Sequence, residues 1–213
     1  MAIKSKACPD FRNIYFVGRN YVKHIEELRN KQPEHPLIFV KPVSCAITSG
    51  SIPYPIHTQN LHFEGEMVFL LPGPSSVLSD IDHFWVSCGI DFTARDVQSR
   101  IKKEGWPWFE AKCFRGSAVI SRTFVQVSRN QLSNLRVETW VNGEQRQAGE
   151  YNQTIFSLPS LVQHLEFLVE IQENDILFTG TPSGVGEVQP HDRIEVRLFL
   201  DGIRLTEKLC EVV

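Results

Sequence analysis

No stretch of this chain stays apolar for the roughly 20 residues that a membrane-crossing helix needs. The first residues, MAIKSKACPDF, also lack the apolar core of a signal peptide. There is no basic run, and the formal net charge is -3, so nothing points to a nucleic-acid partner. Five cysteines (Cys8, Cys45, Cys88, Cys113 and Cys210) are scattered without a C-x-x-C pair. An odd number fits poorly with a complete disulfide framework. They read as mostly buried small hydrophobes of a reduced, cytoplasmic protein, and a catalytic cysteine has no support. Neither a repeat nor a low-complexity linker divides the 213 residues. With 42% hydrophobic residues, 1–213 reads as one globular domain with a sizeable core.

What is present is mostly strand. IYFVG, LIFVKP, LHFEGEMVFLL, WVSCGIDF and NDILFTGTP are β-rich, and Pro53 and Pro55 keep GSIPYP extended. Asn142-Gly143 and Asp201-Gly202 sit between strand-like flanks and predict tight hairpin turns. Helices are few. NYVKHIEELRNK places Tyr21, Ile25 and Leu28 on one face. TARDVQSRIKKEG offers Thr93 as N-cap, Asp96 as capping-box acid and Gly105 as stop. SLPSLVQHLEFLVEIQ has an early Pro159 and a stripe of Leu161, Leu165 and Leu168. The balance predicts an α+β, β-rich fold: a rolled mixed sheet with peripheral helices, not an alternating βαβ sandwich.

The chemistry begins in LHFEGEMVFLL. Glu64 and Glu66 are one residue apart in a strand-like run that leads into Met67, Val68, Phe69 and Leu70. Alternate strand residues share a face, so two carboxylates lie side by side next to a buried run. Taken alone, an exposed edge strand accounts for them. Asp91 ends another apolar strand, however, and three converging carboxylates suit a hard divalent cation such as Mg²⁺. Arg95 stands in a helix's first turn, against the dipole, which suggests either an anion nearby or a surface salt bridge. Lys112 is a lone cation in the aromatic stretch FEAKCF, either snorkelling or facing a substrate carboxylate. His24 and Glu27 are three apart on the first helix. They form either a surface contact or a base oriented by its carboxylate. FTGTPSGVG lacks the Gly-Lys-Ser/Thr ending of a phosphate loop. It reads as a tight turn, or as a loop presenting N–H groups and a Thr hydroxyl to a carboxylate.

In order, YFVGRNYVKHIEEL, LIFVKP, NLHFEGEMVF, GIDFTARDVQ, PWFEAKCF and ILFTGTPSGVG resemble the fumarylacetoacetate hydrolase family. The likeness is to its short branch of acylpyruvases and oxaloacetate decarboxylases, and it runs from about Ile14 to the last strands. The chain is too short for the SH3-like N-terminal domain of true fumarylacetoacetases, which argues against that substrate. The resemblance implies a mixed β-sandwich roll, a homodimer, and Mg²⁺ or Mn²⁺, with Ca²⁺ able to replace them in a crystal. It implies Glu64, Glu66 and Asp91 as metal ligands, and Lys112 as the active-site lysine. His24 and Glu27 match a water-activating dyad on a lid that orders with substrate. Arg95, Gln98, Thr181 and Lys41 match substrate-side positions, with Thr179 a weaker claimant than Thr181. Relatives often carry His where Phe63 stands and Leu where Gly65 stands, which bears on pocket shape.

The implied substrate is a 2-oxo or β-keto acid, with hydrolysis of an acylpyruvate to pyruvate and a carboxylate as the leading reading. Oxaloacetate decarboxylation, oxaloacetate keto–enol tautomerisation, and isomerisation or decarboxylation in aromatic catabolism use the same enolate. A non-catalytic metal- or ligand-binding module is the reading from another class. The cluster Trp106-Pro107-Trp108 suits either interface or core.

Overall fold

The structure is a computed structural model and describes residues 3–27 and 31–213. The central element is a nine-stranded mixed sheet. Its middle strands are Gly65–Leu70 and His83–Asp91, paired antiparallel, with Ile176–Phe178 on the other side of Gly65–Leu70. Ile176–Phe178 in turn pairs parallel with Ile14–Gly18. A four-stranded sheet built from the hairpins Leu135–Val141/Glu144–Glu150 and Arg193–Leu200/Ile203–Glu211 packs across one face. A three-stranded sheet, Gly186–Val188, Leu61–Phe63 and Thr93–Ala94, sits beside them.

Both faces of the central sheet are buried, which is why its strands read as continuous apolar runs and not as alternation. Met67 and Phe69 face the four-stranded sheet and share a core with Val137, Val196 and Leu198. Val68 and Leu70 face the other way, into a cluster with Ile14, Phe16, Ile120 and Phe178. Phe16 stacks on Phe178 there, with centroids 4.3 Å apart. By the same alternation Glu66 points with Val68 and Leu70, away from the four-stranded sheet.

Both hairpin turns are as predicted. Asn142, Gly143, Asp201 and Gly202 all have positive φ (52°, 83°, 51° and 78°), the backbone that a two-residue primed turn requires. Three expectations need correction. LHFEGEMVFLL is not one strand. It breaks at Glu64, with Leu61–Phe63 in the small sheet and Gly65–Leu70 in the large one. Gly65 sits where the chain passes close against the four-stranded sheet, and a Cβ there would lie 1.8 Å from Thr139 Oγ1. Thr93 is not the cap of the next helix. It belongs to the Thr93–Ala94 strand, and the helix is Arg95–Glu104 with Ala94 before it. Asp96 instead ties the helix start to the preceding loop, accepting from Thr58 Oγ1, Gln59 N (3.0 Å) and Val97 N (2.8 Å). Gly105 does end this helix, at φ 70°. Leu161 and Leu165 of helix Leu158–Leu168 are buried, but Leu168 is 58% exposed, and Leu158 and Val162 complete the buried stripe. In helix Val22–Glu27, Tyr21 just before it and Ile25 are buried. Leu28 lies outside the described residues.

Candidate metal and active site

Three carboxylates meet at one end of the central sheet. Glu64 occupies the strand break, Glu66 the start of Gly65–Leu70, and Asp91 the last position of its strand. The break is held by Asp91 N donating to Glu64 O at 2.8 Å. Each of the three residues offers an oxygen within 4.8 Å of the others', and all three are buried.

Their partners differ. Lys112, on the short helix Phe109–Lys112, donates to Glu64 Oε2 (2.8 Å), Asp91 Oδ2 (2.6 Å) and Thr93 Oγ1 (2.7 Å). Arg95 pairs with the other Glu64 oxygen and donates to Gln98 Oε1 at 2.6 Å. Lys41 is fully buried behind Asp91, 2.5 Å from Oδ1, and donates to the carbonyls of Phe92 (3.0 Å) and Ser117 (2.7 Å). Among the described residues Glu66 pairs with no cation and accepts only the N–H of Gly180, at 2.7 Å.

The titration of the groups follows from this. Burial works to raise Glu64, but Lys112, Arg95 and His24 outweigh it and hold the carboxyl well below the usual range. Burial pushes Glu66 well above that range, and Asp91 and then Glu64 push it further. Burial opposes the Lys112 charge, yet Asp91 and Glu64 raise its pKa above normal. Lys41 goes the other way, because burial outweighs Asp91.

The donor set tests whether a metal fits. It is all carboxylate oxygen, and one of its members, Glu66, is a buried acid facing two like charges and, among the described residues, paired with no cation. A hard divalent ion answers both features, so the residues fit Mg²⁺ or Mn²⁺.

His24 opens on the same cleft as the triad. Its Nδ1 lies 3.3 Å from Glu27 Oε2, and Glu27 is itself held by Gly184 N at 3.0 and 3.2 Å. With Nδ1–H donating to the carboxylate, Nε2 is the free base. Burial lowers the His24 pKa, against the pull of Glu64 and Glu27, which favours the neutral ring.

The FTGTPSGVG loop therefore presents N–H groups to carboxylates, and those carboxylates are the chain's own Glu66 and Glu27. Thr181 also faces the cleft. Its hydroxyl donates to Gly65 O at 3.0 Å and accepts from Gln147 Nε2 at 2.7 Å. Thr179 instead lies against Met67 O, at 3.3 Å. Gln98 and Arg95 line the cleft. Lys41 does not. Its ammonium is spent on Asp91 and two carbonyls, and it stands behind the triad.

Sequence reasoning missed three participants. Arg19 and Lys102 line the cleft, and buried Gln147 bonds Gly65 N (2.9 Å), Thr181 and Pro182 O (2.8 Å). Lys102 was within reach of a pattern argument. Arg95, Gln98 and Lys102 are spaced by three and four, so they share one helix face. Gln147 gives no such signal in a polar strand.

Comparison with known proteins closes the assignment. The model of the fumarylacetoacetate (FAA) hydrolase C-terminal family matches residues 13–211. The chain belongs to this family. The FAA hydrolase-family chain is 36% identical over 189 residues to the mitochondrial oxaloacetate tautomerase FAHD1 of Bos taurus, with 86% of each chain covered. It is 33% identical over 185 residues to the mitochondrial oxaloacetate decarboxylase of Dictyostelium discoideum, covering 84% of this chain and 85% of the other. It superposes with a TM-score of 0.81 on the fumarylpyruvate hydrolase of Pseudomonas aeruginosa, solved with Mn²⁺ and pyruvate. There the identity is 31%, over 95% of this chain and 90% of that one. Within this FAA hydrolase-family fold, no described helix is long and apolar enough to cross a membrane.

Proposed function

We propose that this protein is a divalent-metal-dependent enzyme that interconverts the keto and enol forms of oxaloacetate. The observation that carries the reading is the meeting, in one cleft, of an imidazole oriented by a carboxylate with a carboxylate triad suited to Mg²⁺ or Mn²⁺. The named activities of the bovine and Dictyostelium relatives support oxaloacetate as substrate.

A cation held by Glu64, Glu66 and Asp91 would supply Lewis-acid polarisation of the substrate's 2-oxo group. The chain's residues do the rest. His24 Nε2 takes the proton from C3 of the keto form, the electron pair left behind moves onto the carbonyl oxygen, and the imidazolium returns the proton to that oxygen to complete the enol. Glu27, fixed by Gly184, keeps the ring in the tautomer that does this and supports its transient charge. Lys112 and Arg95 keep Glu64 ionised and supply positive potential beside the developing negative charge. Run backwards, the same steps return the proton to C3, so one base serves both directions.

Hydrolysis of a fumarylpyruvate-type 2,4-dioxo acid is the second reading. It is favoured by the likeness to the Pseudomonas hydrolase, because the same dyad would take a proton from an attacking water. An assay of purified protein with Mg²⁺ or EDTA separates the two. The enol absorbance of oxaloacetate, CO₂ release, and pyruvate release from fumarylpyruvate are followed side by side. Accelerated enol decay that EDTA, Glu66→Gln and His24→Ala each abolish is the expected result. Pyruvate release without enol turnover would replace the tautomerase reading with the hydrolase.

A further inference from the structure

The cleft holds more positive charge than the triad and a chelated 2-oxo acid would answer. When ionised to hold a cation the triad would carry three negative charges, equal in number to Lys41, Lys112 and Arg95, which pair with Glu64 and Asp91. A divalent cation adds two positive charges, which the chelating carboxylate and enolate oxygen of a 2-oxo acid would answer. Two further cations remain on the wall. Among the described residues neither Arg19 nor Lys102 has a carboxylate partner. Arg19 donates only to Lys31 O, at 3.4 Å, and the Lys102 ammonium only overlies the Trp108 ring, 5.4 Å from its centre. Both line the same cleft as the triad and His24. Partial burial and then the fields of Arg19 and Arg95 push the Lys102 ammonium down to about 8, against a weaker upward pull from Glu64.

The backbone holds this arrangement in place. Arg19 is a non-glycine residue at φ 59°, between the end of strand Ile14–Gly18 and helix Val22–Glu27. The next residue, Asn20, is fully buried and bonded to Thr179 O (2.8 Å) and Phe156 O (3.2 Å), so the strained turn is anchored. Residues persist in such backbone only where their surroundings over-determine them. Lys102 sits one helical turn beyond Gln98, on the face that Arg95 shares.

We propose that Arg19 and Lys102 form a subsite for a second, distal carboxylate, which makes the preferred ligand a 2-oxo dicarboxylic acid and not an acylpyruvate with a neutral tail. This rests on the reading that the 2-oxo acid head lies at the triad. It also names two residues that discriminate between substrates of the same reaction class.

The test uses binding of inert probes, so it does not depend on turnover. Malate carries the same carboxylate and adjacent oxygen as a 2-oxo acid, plus a distal carboxylate, and its 4-methyl ester lacks only that charge. Both are titrated by calorimetry into Mn²⁺-loaded wild type, Lys102→Met, Arg19→Gln and the double variant. Wild type is expected to bind malate at least tenfold tighter than the ester, since a charge-assisted bond is at stake. Each single variant should lose several-fold of that preference and the double variant all of it, with ester affinity within twofold throughout, which also reports intact folding. Equal wild-type affinities, or a preference that survives in the double variant, overturns the subsite. If oxaloacetate is not turned over but the malate preference holds and is lost in the variants, the reaction is wrong and the subsite stands. Turnover without the preference means the reverse.

Discussion

At the scale of single residues, Glu66 is the most exposed to test. It is a buried carboxylate whose neighbours are like-charged, so replacing it should cost the metal-free protein little. Glu66→Gln is expected to match or exceed wild type in melting temperature in EDTA, yet to lose the upward shift that Mg²⁺ gives wild type. Differential scanning fluorimetry reads both. His24 makes a different prediction. Its pKa is lowered, so the neutral base persists as pH falls past the ordinary histidine value of about 6.5 and is lost only below it. The acid limb of kcat/KM should therefore lie under pH 6.5. A limb at or above that value would mean that the ring is not the base, or is not buried as described. The triad was legible in the sequence because carboxylates inside apolar strands are anomalous. The cations around it were not, since Lys41 and Lys112 reach the two oxygens of Asp91 by tertiary folding alone. Gln147 shows the same limit. Its three bonds join elements that only the fold brings together, and Gln147→Leu should cost about 2 kcal/mol by leaving buried partners unmet, seen as a drop in denaturation midpoint.

At the scale of elements, the crossing of Gly65 over Thr139 is the feature no pattern announced. Strand-like apolar residues flank Glu64-Gly65-Glu66 on both sides, so the pattern predicts one strand where there are two. Gly65→Ala would drive a Cβ into Thr139 Oγ1 and should destabilise by about 1–3 kcal/mol. Thr139 Oγ1 is buried with no hydrogen-bond partner among the described residues, so Thr139→Ala alone should be close to neutral. The double variant should recover much of the loss. A double-mutant cycle in urea measures this coupling, and simple additivity would remove the steric explanation. The hairpins were readable because two-residue turns are written in two residues. The start of helix Arg95–Glu104 misled because Thr93 has the right chemistry for a cap, but its hydroxyl is taken by Lys112. Asp96 does the anchoring instead, and three donors hold its carboxyl below the usual range against the effect of burial. Its contribution is therefore present above the unfolded carboxylate pKa and fades as pH falls through the lower folded value. Asp96→Ala should lower stability by about 1 kcal/mol at pH 7 and by less in acid.

At the scale of the whole molecule, three sheets meet around the site, and exposed apolar side chains gather just beyond the cleft. Trp106 is 56% exposed and Phe109 61%, on the segment that carries Trp108 to the cleft wall. They suit the homodimer that the family resemblance implies. Sedimentation should return twice the chain mass, and Trp106→Glu with Phe109→Glu should shift it toward one. Unchanged dimers would place the contact elsewhere.

The three-against-three matching of charges around the triad also bears on the order of events after synthesis. A site of three bare carboxylates would resist collapse until an ion arrived, as happens in domains that fold only around their metal. Here Lys41, Lys112 and Arg95 quench most of that repulsion internally, leaving only Glu66 to be protonated or to wait. The polypeptide can then reach its native topology in a compartment starved of divalent ions and be charged with metal afterwards. Refolding rates should be indifferent to Mg²⁺ concentration, while the onset of catalysis tracks it.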